Sequence, residues 1–290
     1  MGTDVHSMST KPAAMPFARL KDISLYYEER GNGPPVIFVH GLGSSHKDWF
    51  AQARAFAHSF RVITLDLRGH GASEKPDGRY SIPLMADDIA RLMDHLNIPA
   101  AHIVGLSMGG MITLQLALDH PSRVKTLTVI NCDPDYRLTS LRRWFTYLSR
   151  ILLLKILGPE GVARMLAPRL LPDPDQANLR RTFIKRYSQN DPDALLASIH
   201  AIAGWSILDD LGEITQPTLI VASVNDYTDV EKKEPFVDRM PDARLAVLPY
   251  SHHAVPVERP RLFNMQLRAF LAEYSFGEAG RAMQQLHTDA

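Results

Sequence analysis

Ser107 stands at the centre of Gly105-Leu106-Ser107-Met108-Gly109-Gly110, with Ala101 to Val104 before it and the apolar-periodic run Met111 to Leu118 after it. That order predicts a buried strand, one abrupt turn, and a helix that starts immediately afterwards. A turn so tight leaves no room for a Cβ two residues before or after its apex, and glycine occupies both places. The serine hydroxyl is thereby pushed clear of the sheet edge, where the N-terminus of the following helix points partial positive charge at it. A hydroxyl held in this way can attack an electron-poor carbon. The five-residue pattern is weak by itself, and the strand before it and the helix after it supply the context the chemistry needs.

Such a turn has to belong to a sheet. Short unbroken apolar runs, Val36 to Val39, Val62 to Leu65, Ile103-Val104, Leu127 to Ile130 and Leu219 to Ala222, suit strands covered on both faces. Helical patterns lie between them, with Met85, Ile89, Leu92, Met93 and Leu96 on one amphipathic face. Alternation of this kind predicts an α/β fold with a doubly wound, mostly parallel sheet. A hairpin of Phe17 to Leu20 and Ser24 to Glu29 precedes it, and Ala243 to Leu248 supplies the last strand. After Ile130 the pattern changes. Asp133-Pro134-Asp135 breaks the chain, and up to about Leu211 only helical segments follow: Leu141 to Leu157, Gly161 to Leu166, Gln176 to Tyr187 and Ala194 to Ala203. The expected division is therefore a core of residues 17–133 and 212–290, an all-helical insertion of residues 134–211, and an N-terminal tail of residues 1–16.

The 290 residues include 32 Lys+Arg and 32 Asp+Glu, so no basic field invites nucleic acid and no polybasic tail invites a membrane. A small-molecule partner is expected, and the residues say nothing about oligomeric state. The one cysteine, Cys132, excludes an intrachain disulfide and fits a reducing, cytoplasmic compartment. The first sixteen residues lack the apolar stretch of a signal peptide. Ile151 to Leu157 is far short of the roughly 20 apolar residues that span a bilayer. No metal-ligand spacing accompanies the serine, so neither metal nor cofactor is expected.

Three motifs now stand in order: His40-Gly41-Leu42-Gly43 after the third strand, Asp66-Leu67-Arg68-Gly69-His70-Gly71-Ala72-Ser73 after the fourth, and the turn at Ser107. Together they resemble the α/β-hydrolase superfamily, specifically its serine-nucleophile esterase and lactonase branch with a helical cap. The resemblance runs from about Phe17 to about Leu271. It implies an oxyanion hole made by the backbone N–H groups of Leu42 and Met108, with His40, Arg68 and His70 bracing the loops. It implies that Asp226, just past a strand, is the acid, with Asp229 and Asp133 as competitors. His253 is the implied base, completing the chain order Ser, Asp, His. His252 fills a place that is often glycine, so its side chain is expected to face solvent. The insertion would roof the pocket, and Phe145, Leu148 and Leu152 are the expected lining.

On this resemblance the chemistry is hydrolysis of a small or medium carboxylic ester through an acyl-enzyme. A lactone is close behind, because Gly105 to Val124 resembles enol-lactonases. Serine at the apex argues against the haloalkane dehalogenase and epoxide hydrolase branches, which use aspartate there. The same motifs leave room for C–C bond hydrolysis of ring-cleavage products, for cofactor-free perhydrolysis, and for a ligand sensor on the same scaffold. Ala254 weighs against C–C bond hydrolysis, since such enzymes often carry an aromatic directly after the histidine.

Overall fold

The computed structural model describes residues 16–275. The expected tail, apart from Pro16, and the polar stretch after Ser275 lie outside the described residues. Among the described residues there are eight strands: β1 (Phe17–Arg19), β2 (Ser24–Arg30), β3 (Pro35–Val39), β4 (Arg61–Leu65), β5 (Ala101–Leu106), β6 (Val124–Ile130), β7 (Thr218–Ser223) and β8 (Ala243–Leu248). They form one sheet in the order β1-β2-β4-β3-β5-β6-β7-β8. β2 is antiparallel to β1 and β4, and every other pairing is parallel.

The helices are α1 (Phe50–Phe56), α2 (Ile82–His95), α3 (Met108–Asp119), α4 (Leu141–Leu170), α5 (Ala177–Tyr187), α6 (Pro192–Ile202), α7 (Glu234–Val237), α8 (Val255–Glu258) and α9 (Pro260–Ser275). α2 and α3 cover one face of the sheet and α1 and α9 the other, and the strand alternation sorts the core between them. Val36 and Phe38 of β3 pack with Phe56 of α1 and with Phe263 and Leu267 of α9. Ile37 and Val39 point the other way, into the layer that holds Met85 and Ile89 of α2 and Ile112 of α3. Burial on both faces is why the central strands carry unbroken apolar runs, and every residue of β5 and of β7 is buried.

Between β6 and β7 the described chain holds helices and one isolated bridge, Asp135 to Ser206. That bridge, with the Tyr136 N–H donating to Trp205 O at 2.7 Å and Ile207 N–H to Pro134 O at 2.9 Å, ties together the two stalks of the insertion. The insertion has a small core of its own, built on Leu154, Ala163, Tyr187 and Leu195. The two segments expected at Leu141 to Leu157 and Gly161 to Leu166 are the two halves of α4, interrupted at Gly158, where φ is 63°. Pro159 then opens the second half, where a missing N–H costs nothing. α6 starts two residues before its expected first residue, because Asp191 caps it through Ala194 N–H and Pro192 holds the first turn.

Candidate active site

β5 delivers Ser107 to the C-terminal edge of the sheet with φ 56° and ψ −118°, a strained conformation for a residue with a side chain. The close approach that creates it explains the two glycines. A Cβ on Gly105 would lie 2.3 Å from Gly109 O, and one on Gly109 would lie 2.2 Å from Val39 O. The Ser107 N–H donates to Ile130 O at 2.9 Å and its carbonyl accepts from Met111 N–H at 3.1 Å, so β6 and α3 grip the apex from both sides. Met108 is the first residue of α3. Among the described residues, neither its N–H nor that of Leu42 donates to a backbone carbonyl elsewhere in the chain.

His253 and Asp226 come together. His253 Nδ1 lies 2.8 Å from Asp226 Oδ1, which also accepts from Tyr227 N–H at 2.8 Å, while Oδ2 accepts from the Thr228 hydroxyl. Burial alone would push the Asp226 carboxyl up, but the His253 hydrogen bond and charge, the Thr228 hydroxyl and the Lys233 ammonium outweigh it and hold the group below the usual carboxylate range. Asn131 aligns the loops that carry this pair. Its Nδ2 donates to Ser223 Oγ and to the carbonyls of His252 and His253, and its Oδ1 accepts from Ser223 N–H. Nothing in the sequence around Asn131 announced this role, because its partners lie 92 to 122 positions away.

Tyr227 is a second residue that the sequence did not single out. Its hydroxyl is 2.8 Å from His253 Nε2, its ring stacks on the imidazole at 4.3 Å and 29°, and the phenol lies close enough to Ser107 for the serine to act on it. The phenol thus occupies His253 Nε2 with Ser107 beside it, and no direct hydrogen bond between Ser107 and His253 is found among the described residues. Burial, and then the nearby Asp226 charge, push the phenol pKa up, so it keeps its proton. Tyr227 lines the cavity and keeps 62% of its surface accessible. Its position directly after Asp226 was the one available signal.

The competing acids are engaged elsewhere. Asp133 Oδ1 faces the fully buried Lys233 Nζ at 3.4 Å, and that ammonium also donates to Thr228 Oγ1 at 2.7 Å. Asp229 pairs with Lys232 at the surface. The expectation that His252 faces solvent is corrected: Glu258 folds back from α8, accepts the His252 N–H at 2.6 Å, and lies 3.0 Å from Nδ1. The loops before the sheet edge are braced by neutral or paired groups. His40 Nε2 accepts from Leu67 N–H at 3.0 Å, so Nδ1 carries the proton and donates to Gly41 O at 2.8 Å. Burial pushes the His40 pKa down. Arg68 grips Asp88 with two bonds of 2.6 and 2.7 Å. His70 Nδ1 bonds Arg68 O at 2.9 Å.

A cavity of about 910 Å³ opens over these groups, lined by Leu42, Ser107, Asp226, Tyr227 and His253 below and by α4 and α5 above. That volume suits a small-molecule ligand. The expected lining by Phe145, Leu148 and Leu152 is corrected. All three are more than half exposed on the outer side of α4, while Thr146, Ser149, Arg150, Leu153 and Leu154 face the cavity. Residues three and four apart share a helix face, and α4 carries apolar residues on both faces, so apolar content alone did not distinguish inside from outside.

The sequence profile of the alpha/beta hydrolase fold matches residues 34–260. The chain belongs to that family. A putative carbamate hydrolase RutD from Azorhizobium caulinodans is 32% identical over 267 residues, covering 89% of this chain and 99% of that protein. The 3-oxoadipate enol-lactonase 2 of Acinetobacter baylyi is 28% identical over 261 residues, covering 88% and 96%. Among solved structures, the enol-lactonase from Burkholderia xenovorans superposes with a TM-score of 0.82 at 26% identity, covering 89% of this chain and 100% of that one. A malate-bound thermophilic esterase from Thermogutta terrifontis gives 0.81 at 25%, covering 92% and 100%. This member of the family is a hydrolase of the α/β fold. No helix among the described residues is long and apolar enough to cross a membrane, and no cluster of metal-ligating side chains is found among them.

Proposed function

We propose that this hydrolase cleaves carboxylic esters of small or medium size by a serine nucleophile and an acyl-enzyme. The observation that carries the proposal is His253, held by Asp226 at 2.8 Å through Nδ1 and sharing the floor of one cavity with Ser107, its Nε2 occupied by the Tyr227 hydroxyl at 2.8 Å. Substrate entry moves the Tyr227 hydroxyl off Nε2, and Ser107 takes its place. His253 accepts the Ser107 proton as Oγ forms a bond to the acyl carbon, and the carbonyl oxygen, now negative, is received by the N–H groups of Leu42 and Met108. Imidazolium returns the proton to the leaving alcohol as the C–O bond breaks. Water then enters, gives its proton to Nε2, adds to the acyl carbon, and frees Ser107 by the same steps in reverse. Asp226 keeps its charge throughout, which stabilises each imidazolium.

A lactone is the second reading, favoured by the enol-lactonases among the relatives. The chemistry differs only in that the leaving alcohol stays tethered to the acyl group. A carbamate offers the same acyl carbon with a poorer electrophile, and the RutD relatives make it the third substrate to assay. The test is a panel of p-nitrophenyl esters, enol-lactones and carbamates, run beside a fluorophosphonate probe. The expected result is one label per chain, at Ser107, and ester turnover that Ser107→Ala reduces by several orders of magnitude, up to about 10⁶. Labelling at another residue, or turnover that survives Ser107→Ala, overturns the mechanism.

A further inference from the structure

The cavity over Ser107 carries more positive than negative charge, although the chain as a whole has equal numbers of basic and acidic residues. Its lining includes Lys47, Arg150, Arg169 and Arg186 against Asp48 and Asp226. Both carboxylates are already committed, Asp48 to Arg186 at 3.0 Å and Asp226 to His253 at 2.8 Å. Arg150 is exposed as well as cavity-lining, and among the described residues its guanidinium has no acidic partner and no hydrogen bond. It stands on the cavity face of α4 with Thr146, Ser149 and Leu153, one helical turn from two of them. Its charge acts on two phenols, that of Tyr187 in the roof and that of Tyr227, which bonds His253 with Ser107 beside it. An exposed guanidinium with five donors and no partner, lining a cavity whose walls also include Leu153, Leu166 and Phe183, can receive a planar anion there.

We infer that Arg150 is a specificity-determining residue that selects esters or lactones bearing a free carboxylate. The anion lies against the guanidinium while the scissile carbonyl sits over Ser107, so one substrate bridges the roof and the floor of the cavity. This inference rests on the hydrolytic reading of Ser107 for its kinetic form, and on the cavity alone for its binding form. A bond of this kind, made to a charged group, favours the anionic substrate by about tenfold to a hundredfold.

Two measurements test it. The first compares kcat/KM for the p-nitrophenyl half-ester of glutaric acid with that for the p-nitrophenyl ester of an uncharged branched acid of the same shape. In Arg150→Gln the anionic-to-neutral ratio should fall about tenfold to a hundredfold, Arg150→Lys should restore much of it, and added salt should reduce the wild-type preference. A ratio unchanged in both Arg150→Gln and Arg150→Met overturns the inference. The second measures binding of glutarate monomethyl ester to the Ser107→Ala protein by calorimetry, with and without Arg150→Gln. Affinity at least tenfold weaker without the guanidinium supports the site, and equal affinity overturns it. If neither ester is turned over by the wild-type protein, the hydrolytic reading fails, and calorimetry still decides the role of Arg150.

Discussion

Replacing Asp226 by Asn exchanges a carboxylate oxygen for an amide nitrogen, removes a charge and leaves the shape. The carboxylate accepts three hydrogens, from His253 Nδ1 and Tyr227 N–H on Oδ1 and from the Thr228 hydroxyl on Oδ2. An asparagine oxygen in place of Oδ1 keeps the first two bonds but turns its NH2 toward Thr228 Oγ1, which already receives the Lys233 ammonium at 2.7 Å. The opposite flip relieves that crowding but points NH2 at Nδ1, driving the imidazole proton to Nε2, where it blocks the base. In either orientation the negative charge that stabilises imidazolium is gone. By analogy with serine protease triads, kcat should fall about 10⁴-fold, or about 5 kcal/mol of barrier. Asp133→Asn is the matched control. Asp133 faces Lys233 at 3.4 Å and is partly exposed, so its loss should cost roughly 1–3 kcal/mol of stability and leave kcat within about threefold. The assay is steady-state hydrolysis of p-nitrophenyl acetate, with thermal melts to show that each variant is folded. A folded Asp226→Asn that keeps more than about a tenth of kcat would refute the assignment, as would an Asp133→Asn equally impaired.

On the proposed mechanism Ser107 must displace the Tyr227 phenol from Nε2, and one net hydrogen bond is worth about 0.5–1.5 kcal/mol, so Tyr227→Phe should raise kcat/KM for a neutral ester about two- to thirteenfold. A tenfold drop in that variant would mean that the hydroxyl takes part in proton transfer. Stability should fall on the acid side, because burial pushes the His70 and His102 pKa values down to about 3 and about 4. The unfolded chain protonates both near 6.5, so their contribution is complete above that pH and is lost below it, at about 2 kcal/mol each by pH 5. Asp226, held low in the fold, adds a further loss only as pH drops below the unfolded carboxylate value of about 4. Calorimetric melts should show Tm dropping on the order of 5–10 °C between pH 7 and pH 5, and a flat Tm would contradict these buried neutral rings. Gly109→Ala places a methyl 2.2 Å from Val39 O, a backbone atom that cannot yield cheaply, so it should destabilise by about 1–3 kcal/mol or more and abolish probe labelling of Ser107. Wild-type labelling in that variant would show that the turn has slack.

Ser107 and its flanking glycines were legible because the demand on them is local: a strand, a turn and a helix packed within eighteen residues leave their signature in adjacent letters. The sheet was legible for a similar reason, since strands covered on both faces need unbroken apolar runs, and those runs alternate with helical periods along the chain. Much of the rest is set by contacts between distant segments. His253 and Asp226 are 27 positions apart, and their hydrogen bond depends on Asn131 gathering the ends of β6, β7 and the histidine loop. The position of His252 depends on the reach of Glu258, and the position of Tyr227 on a stack that has no period to detect. Phe145, Leu148 and Leu152 show the limit most plainly. A helix with apolar residues on both faces presents the same letters whichever way it is turned, and only the packing of α4 against α5 and α6 decided that Arg150 and Leu153 face the cavity. Local sterics write themselves into neighbouring residues, whereas the rotation of one packed element against another is a property of both surfaces and is carried by neither alone.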